Sequence, residues 1–139
     1  MQEYLLEFEQ VYYTYPGSER LQKPALNGLN MKIPSGKKCA LIGQNGCGKT
    51  TLFLLANGLY KPSSGIVKWC GEPLIYNRHY LSQIRQKVGL VFQDPEQQLV
   101  ACTVEEDISY GLCNLGLPTP EIKQRVEQIL AEFELTNLA

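Results

Sequence analysis

The sequence predicts an α/β fold organised around a glycine-rich loop, and three adjoining stretches carry that prediction. Ala40, Leu41 and Ile42 form a short apolar run suited to a strand buried on both faces. Residues 43–50 follow as a loop with few side chains. Leu52, Phe53, Leu55 and Ala56 then recur at helical spacing up to Gly58.

Two strand-like segments, 5–13 and 25–33, precede this unit, the second alternating through Leu29, Met31 and Ile33. "YPGSERLQKP" between them reads as a loop from its proline, glycine and charges, and Pro34-Ser35-Gly36 as a tight turn. After the helix, "KPSSG" is a turn and "IVKWCG" a short strand. Residues 80–87 are mixed and polar, and 88–92 form a second apolar run of strand length ended by "QDPEQQ". Further on, Thr103 with Glu106 makes a capping box opening a helix that stops at Gly116. Thr119 is placed to cap a last helix with Pro120 at its first position. Ile122, Val126, Ile129, Leu130 and Phe133 line one apolar face of it.

The loop satisfies G-x-x-x-x-G-K-[ST] with Gly43, Gly48, Lys49 and Thr50, in the strand-loop-helix context that gives the pattern its meaning. Gly43, Gly46 and Gly48 let the backbone turn its N–H groups inward, and a helix N-terminus adds positive potential. A polyphosphate suits that geometry. Lys49 is expected to neutralise the β and γ phosphates and the Thr50 hydroxyl to ligate Mg²⁺. A dinucleotide fingerprint fits less well, because no third glycine follows at the required spacing.

The chain has 139 residues, a net charge of -1 and five cysteines. A pI near 5.8 and no clustered basic surface argue against nucleic acid as a partner. No apolar run reaches the length of a membrane span, and "MQEYLLEFEQ" lacks the pattern of a signal peptide, so a cytosolic chain, or one docked on a membrane partner, is expected. The cysteines, at 39, 47, 70, 102 and 113, contain no C-x-x-C pair and are expected to be reduced thiols. Cys47, in the loop beside Lys49, is expected to react faster than Cys39 in the buried strand. It also reads simply as a small residue tolerated at that position.

"GQNGCGKTTL", "VGLVFQDPEQQL" and "TVEEDISYGLCNLGLP", in this order and spacing, resemble the nucleotide-binding subunit of an ATP-binding cassette (ABC) transporter. The resemblance spans the whole chain and is strongest to the cobalt-type and energy-coupling-factor importers of metal ions and vitamins. It implies an incomplete P-loop NTPase (ABC ATPase) core with an N-terminal antiparallel β subdomain and the start of a helical subdomain. Residues 1–37 would begin the β subdomain, 38–100 run from the Walker A loop to the Q-loop, and 101–139 begin the helical part. The implied cofactors are ATP and Mg²⁺, held by Gly43, Asn45, Gly46, Cys47, Gly48, Lys49, Thr50 and Thr51.

Tyr15 matches the family's adenine-stacking aromatic, though it also reads as one of several surface tyrosines. Gln93 matches the Q-loop glutamine that contacts Mg²⁺ or orients water, so Lys49 and Gln93 are the expected catalytic residues, and Thr50 and Gln93 the metal contacts. Asp94, Glu96, Gln97 and Gln98 fall where the family meets the coupling helix of its membrane partner, or form a solvated acidic loop. His79 does not match the family's switch histidine. The implied partners are a transmembrane transporter subunit and a second ATPase subunit, identical or not, at the cytoplasmic face of the membrane.

The signature motif, the Walker B strand with its carboxylates, the D-loop and the switch histidine have no counterpart in these residues, which suggests a piece of a longer protein or a truncated product. Two other readings are a soluble ABC-type ATPase and a nucleotide-binding remnant that does not hydrolyse. Residues 1–139 alone are expected to release phosphate from ATP no faster than their Lys49→Ala variant, since a missing general base typically costs about 10² to 10⁴ in rate. Phosphate release that depends on Lys49 would refute this.

Overall fold

A computed structural model describes residues 3–17 and 24–138. Part of the expected loop after Tyr15, residues 18–23, lies outside the described residues. The chain divides into two compact units, Met1–Leu90 and Val91–Ala139.

In the first unit β1 (Tyr4–Tyr13) pairs antiparallel with β2 (Leu26–Pro34) on one side and β3 (Ser64–Trp69) on the other. A short β4 (Glu72–Pro73) extends β3, giving a four-stranded sheet in the order β2-β1-β3-β4. Along β1 the buried side chains are Leu6 and Phe8, then Val11 and Tyr13, a change from even to odd positions. A β-bulge causes it: Gln10 has φ 47, and the register with both neighbours slips beside it. Gly65 on β3, with φ 88, packs against this bulge, where an added Cβ would overlap the Gln10 carbonyl.

Helix α1 (Lys49–Ala56) buries Leu52, Leu55 and Ala56 in the same core as Phe8, Val11 and Val67, and Phe8 and Leu55 are at most 1% exposed. The helix stops at Asn57 and Gly58, the latter with φ 71. A second helix, α2 (Arg78–Arg85), occupies the region the sequence leaves as mixed and polar. Asn77 caps it by accepting from the Tyr80 N–H at 2.8 Å, and Ile84 anchors it in the core. Two hydrogen bonds tie this region to the end of α1. The buried Asn57 Nδ2 donates to the Val88 carbonyl at 2.6 Å, and Arg85 donates to the Gly58 carbonyl at 2.9 Å.

The buried strand expected at 40–42 and the strand-length run at 88–92 are corrected by the structure. Residues 40–42 and 88–92 adopt no strand, and neither pairs with a strand among the described residues. Leu41 is 40% exposed, Ile42 92% and Val91 84%, and Cys39 is exposed as well. A parallel strand draws its stability from ladder partners on both edges, and an apolar run alone does not supply them.

In the second unit α3 (Val104–Asn114) begins at Thr103, whose Oγ1 accepts from the Glu106 N–H at 3.2 Å, as the capping box predicts. Asp107 reinforces this end by accepting from the Val100 N–H at 2.9 Å, and Gly116 with φ 70 follows the helix. Helix α4 (Thr119–Glu132) starts one residue earlier than expected, with Pro118 at the cap and Thr119 already helical. It buries Val126 and Leu130, whereas Phe133, expected on the same face, is 64% exposed.

Gly65→Ala should lower stability by more than about 1 kcal/mol, the least that a side chain in left-handed backbone costs. The urea midpoint would fall with an unchanged slope, and an unshifted midpoint would show that β3 does not press on the bulge.

Candidate functional site

Gly48 occupies the N-cap of α1 with φ 96, and Gly46 has φ 77, both in the left-handed region. At Gly48 the constraint is double. A Cβ there would lie 2.6 Å from the Ala25 carbonyl oxygen and 2.9 Å from Leu26, so the loop backbone rests directly on the start of β2. At Gly46 the same atom would meet nothing within 4 Å. Gly43 is confined from inside the loop, since its Cβ would approach Cys47 Sγ to 2.7 Å.

The Lys49 ammonium folds back into the loop, donating to the carbonyls of Gly43 and Gln44, each at 2.7 Å, with Cys47 Sγ at 3.7 Å. The lysine is thereby held over the concavity. Asn45, Cys47 and Thr50 are exposed around it. Among the described α-helices, α1 alone has neither a capping side chain nor an acidic residue in its first turn. Helix α3 offers the contrast, with Thr103 as cap and Glu105, Glu106 and Asp107 in its first turn. The first N–H groups of any helix lack intrahelical acceptors, and at α1 no side chain of the cap satisfies them. Bare donors, the positive end of the helix dipole and a lysine converge where an anion would sit.

Behind the loop lies a cavity of about 230 Å³ lined largely by aliphatic side chains, among them Leu26, Leu29, Met31 and Leu52. Cys47, Gly48 and Lys49 of the loop also line it, and its remaining walls are apolar.

Tyr15 lies just past the end of β1, and its hydroxyl and Thr51 Oγ1 are hydrogen-bonded at 2.8 Å. Thr51 is 3% exposed, so this bond meets the need of a buried hydroxyl. The Tyr15 ring stands edge-on to Tyr13 at 5.2 Å and to Tyr60 at 5.9 Å, and Tyr13 and Tyr60 stack at 5.3 Å and 9°. Burial, with smaller contributions from Tyr60 and Tyr15, raises the Tyr13 pKa above the ordinary tyrosine value, so Tyr13 stays a neutral wall. Sequence reading singled out Tyr15 but missed Tyr13 and Tyr60 as its supports. The alternation of Tyr13 and Tyr15 at i and i+2 was the one local signal. Tyr60 is brought in by the turn after α1.

Gln93 belongs to the second unit, where it is exposed and directly precedes Asp94. Asp94 Oδ1 accepts from the Glu96 N–H at 3.2 Å, capping a 3₁₀ turn over Pro95–Gln98. His79 is exposed on α2, its Nε2 3.2 Å from the Gln83 amide nitrogen.

The profile of the ABC transporter family matches residues 26–139. The chain belongs to the ABC transporter family. It is 70% identical over its full length to an ABC transporter ATP-binding protein of Nostoc sp., covering 50% of that protein. To an energy-coupling factor transporter ATP-binding protein of Methanothermobacter thermautotrophicus it is 47% identical over 133 residues, 96% of this chain and 42% of the relative. Among solved structures it resembles CbiO1 of Clostridium perfringens, described as part of the ABC transporter complex CbiONQ. The TM-score is 0.79 at 39% identity, over 98% of this chain and 53% of that one. The expected fold class, part of an ABC ATPase core, is thereby borne out. The chain spans about half the length of the curated relatives it matches.

Gly48→Ala should therefore cost more stability than Gly46→Ala, since both pay for left-handed backbone but only the first also meets the Ala25 carbonyl. Each kcal/mol moves the thermal midpoint of a chain of this size by about 2–8 °C. Equal shifts in the two variants would refute the close packing of loop on strand.

Proposed function

We propose that these residues form the nucleotide-binding part of the ATPase subunit of an ABC importer of the energy-coupling-factor type. The observation that carries this reading is the Lys49 ammonium held against the carbonyls of Gly43 and Gln44 at the bare N-terminus of α1. Two of its three protons are engaged by the loop. Among the described residues the third has the long contact to Cys47 Sγ, which a phosphate oxygen would readily outcompete as an acceptor.

The donor set fits a magnesium-bound triphosphate. Backbone N–H groups of the loop, with Gly43, Asn45, Gly46, Cys47 and Gly48 shaping it, would receive the phosphates, and Lys49 would balance their charge. The hydroxyls of Thr50 and Thr51 follow on the first turn of α1, and Thr50 and Gln93 would be the contacts for Mg²⁺. Magnesium, when bound, offsets the negative charge that builds on the phosphates during transfer. Tyr15 offers its partly exposed ring to the adenine, because stacking on a purine face requires no specific donor or acceptor pattern.

We read residues 1–37 as the start of the β subdomain, 38–100 as the Walker A to Q-loop part and 101–139 as the beginning of the helical subdomain. In the intact protein, ATP binding and hydrolysis would drive uptake of a metal ion such as cobalt, or of a vitamin, through a transmembrane partner. A second ATPase subunit would pair with this one at the cytoplasmic face. Asp94, Glu96, Gln97 and Gln98 would meet the membrane subunit. The names of the relatives support this assignment, and no helix among the described residues is long and apolar enough to cross a membrane.

Lys49→Ala should lower Mg-ATP affinity tenfold or more, since a hydrogen bond to a charged group contributes about 1.5–3 kcal/mol. Calorimetric titration checks this, with circular dichroism confirming the fold. Undiminished affinity in a folded variant would refute the phosphate site.

A further inference from the structure

We propose that Thr51 is a positioning residue for Tyr15, its hydroxyl holding the ring at a fixed place relative to the phosphate loop. A nucleoside triphosphate is then read as one rigid object rather than at two independent subsites. The proposal rests on the nucleotide-site reading above and adds the coupling within it.

Tyr15 lies just past the end of β1. Part of what holds its ring is built from α1. Thr51 is two residues beyond Lys49 on that helix, almost wholly buried, with its hydroxyl 2.8 Å from Tyr15 Oη. Tyr60, edge-on to the ring, follows the same helix, and its N–H donates to the Leu54 carbonyl at 3.1 Å. Tyr13 completes the support and stacks on Tyr60. The base platform therefore moves with the helix whose first turn bears Lys49 and Thr50.

Tyr15 as a whole is 39% exposed, which leaves it accessible to a ligand. Pre-fixing an aromatic side chain lowers the entropy lost when a ligand stacks on it, so the Thr51 bond raises affinity for ligands with a base and does nothing for those without one.

The test measures dissociation constants of the intact protein for Mg-ATP and for magnesium tripolyphosphate, which has no base. Tyr15→Phe keeps the ring but loses the bond; it should weaken ATP about three- to tenfold, the worth of one neutral hydrogen bond, and leave tripolyphosphate unchanged. Thr51→Val should weaken ATP but not tripolyphosphate, a loss of both marking a phosphate contact of Thr51 and overturning the proposal. Thr51→Ser should restore ATP, and the double variant Tyr15→Phe/Thr51→Val should bind ATP no worse than the weaker single variant. Wild-type ATP affinity in Tyr15→Phe, equal losses for ATP and tripolyphosphate in that variant, or additive losses in the double variant would each overturn the proposal. Lys49→Ala serves as the control and should weaken both ligands. If it does while Tyr15→Phe binds ATP as wild type, the positioning role alone fails; if it weakens neither, the phosphate-site reading fails.

Discussion

The close approach of Gly48 to the Ala25 carbonyl is the constraint on which the loop depends. Any side chain at position 48 would strike the backbone at 2.6 Å, so helix α1 can start where it does only because nothing projects there. Ala25 in turn donates its N–H to the Tyr13 carbonyl at 2.8 Å, which fixes this wall to the end of β1. The same strand end leads into Tyr15. One glycine contact thus sets the distance between the phosphate loop and the aromatic corner, and the bulge at Gln10 decides which face of β1 the tyrosines occupy by reversing its alternation.

The far end of α1 is secured by polar rather than apolar contacts. Asn57 is 6% exposed and would leave a buried amide unsatisfied without the Val88 carbonyl, while Arg85 covers the carbonyl of Gly58 that the helix no longer uses. With eight residues, α1 is too short to persist on propensity alone. Burial of Leu52 and Leu55, together with these terminal bonds, keeps its first turn rigid enough to present donors to a ligand.

What the sequence makes legible follows the range of the forces involved. The N-cap of α3 and the turn at Pro34 to Gly36 are encoded by neighbouring residues, and the structure places them close to expectation. Helix α2 escaped because it has only eight residues and buries only Ile84; its signal was Asn77 ahead of Leu81, Ile84 and Val88 at helical spacing. The runs 40–42 and 88–92 misled for the opposite reason. Their composition is that of parallel strands, yet the ladder such strands require is a long-range property that no local pattern contains. The hydrogen bond between Tyr15 and Thr51, across 36 positions, is likewise absent from any local pattern.

Binding and turnover separate along the same line. Holding a polyphosphate needs backbone donors, a helix dipole and a cation, all concentrated between Gly43 and Thr51 and aligned by one strand and one helix. Moving the phosphoryl group to water further requires a base aimed at the attacking oxygen, a demand of position that a flexible contact meets poorly. The loop gains its rigidity from its contacts with β2 and α1. Gln93, expected by resemblance to contact Mg²⁺ or orient water, is an exposed residue beside a 3₁₀ turn of the second unit. The loop itself is thus fixed by packing inside the first unit, against Ala25 and through α1.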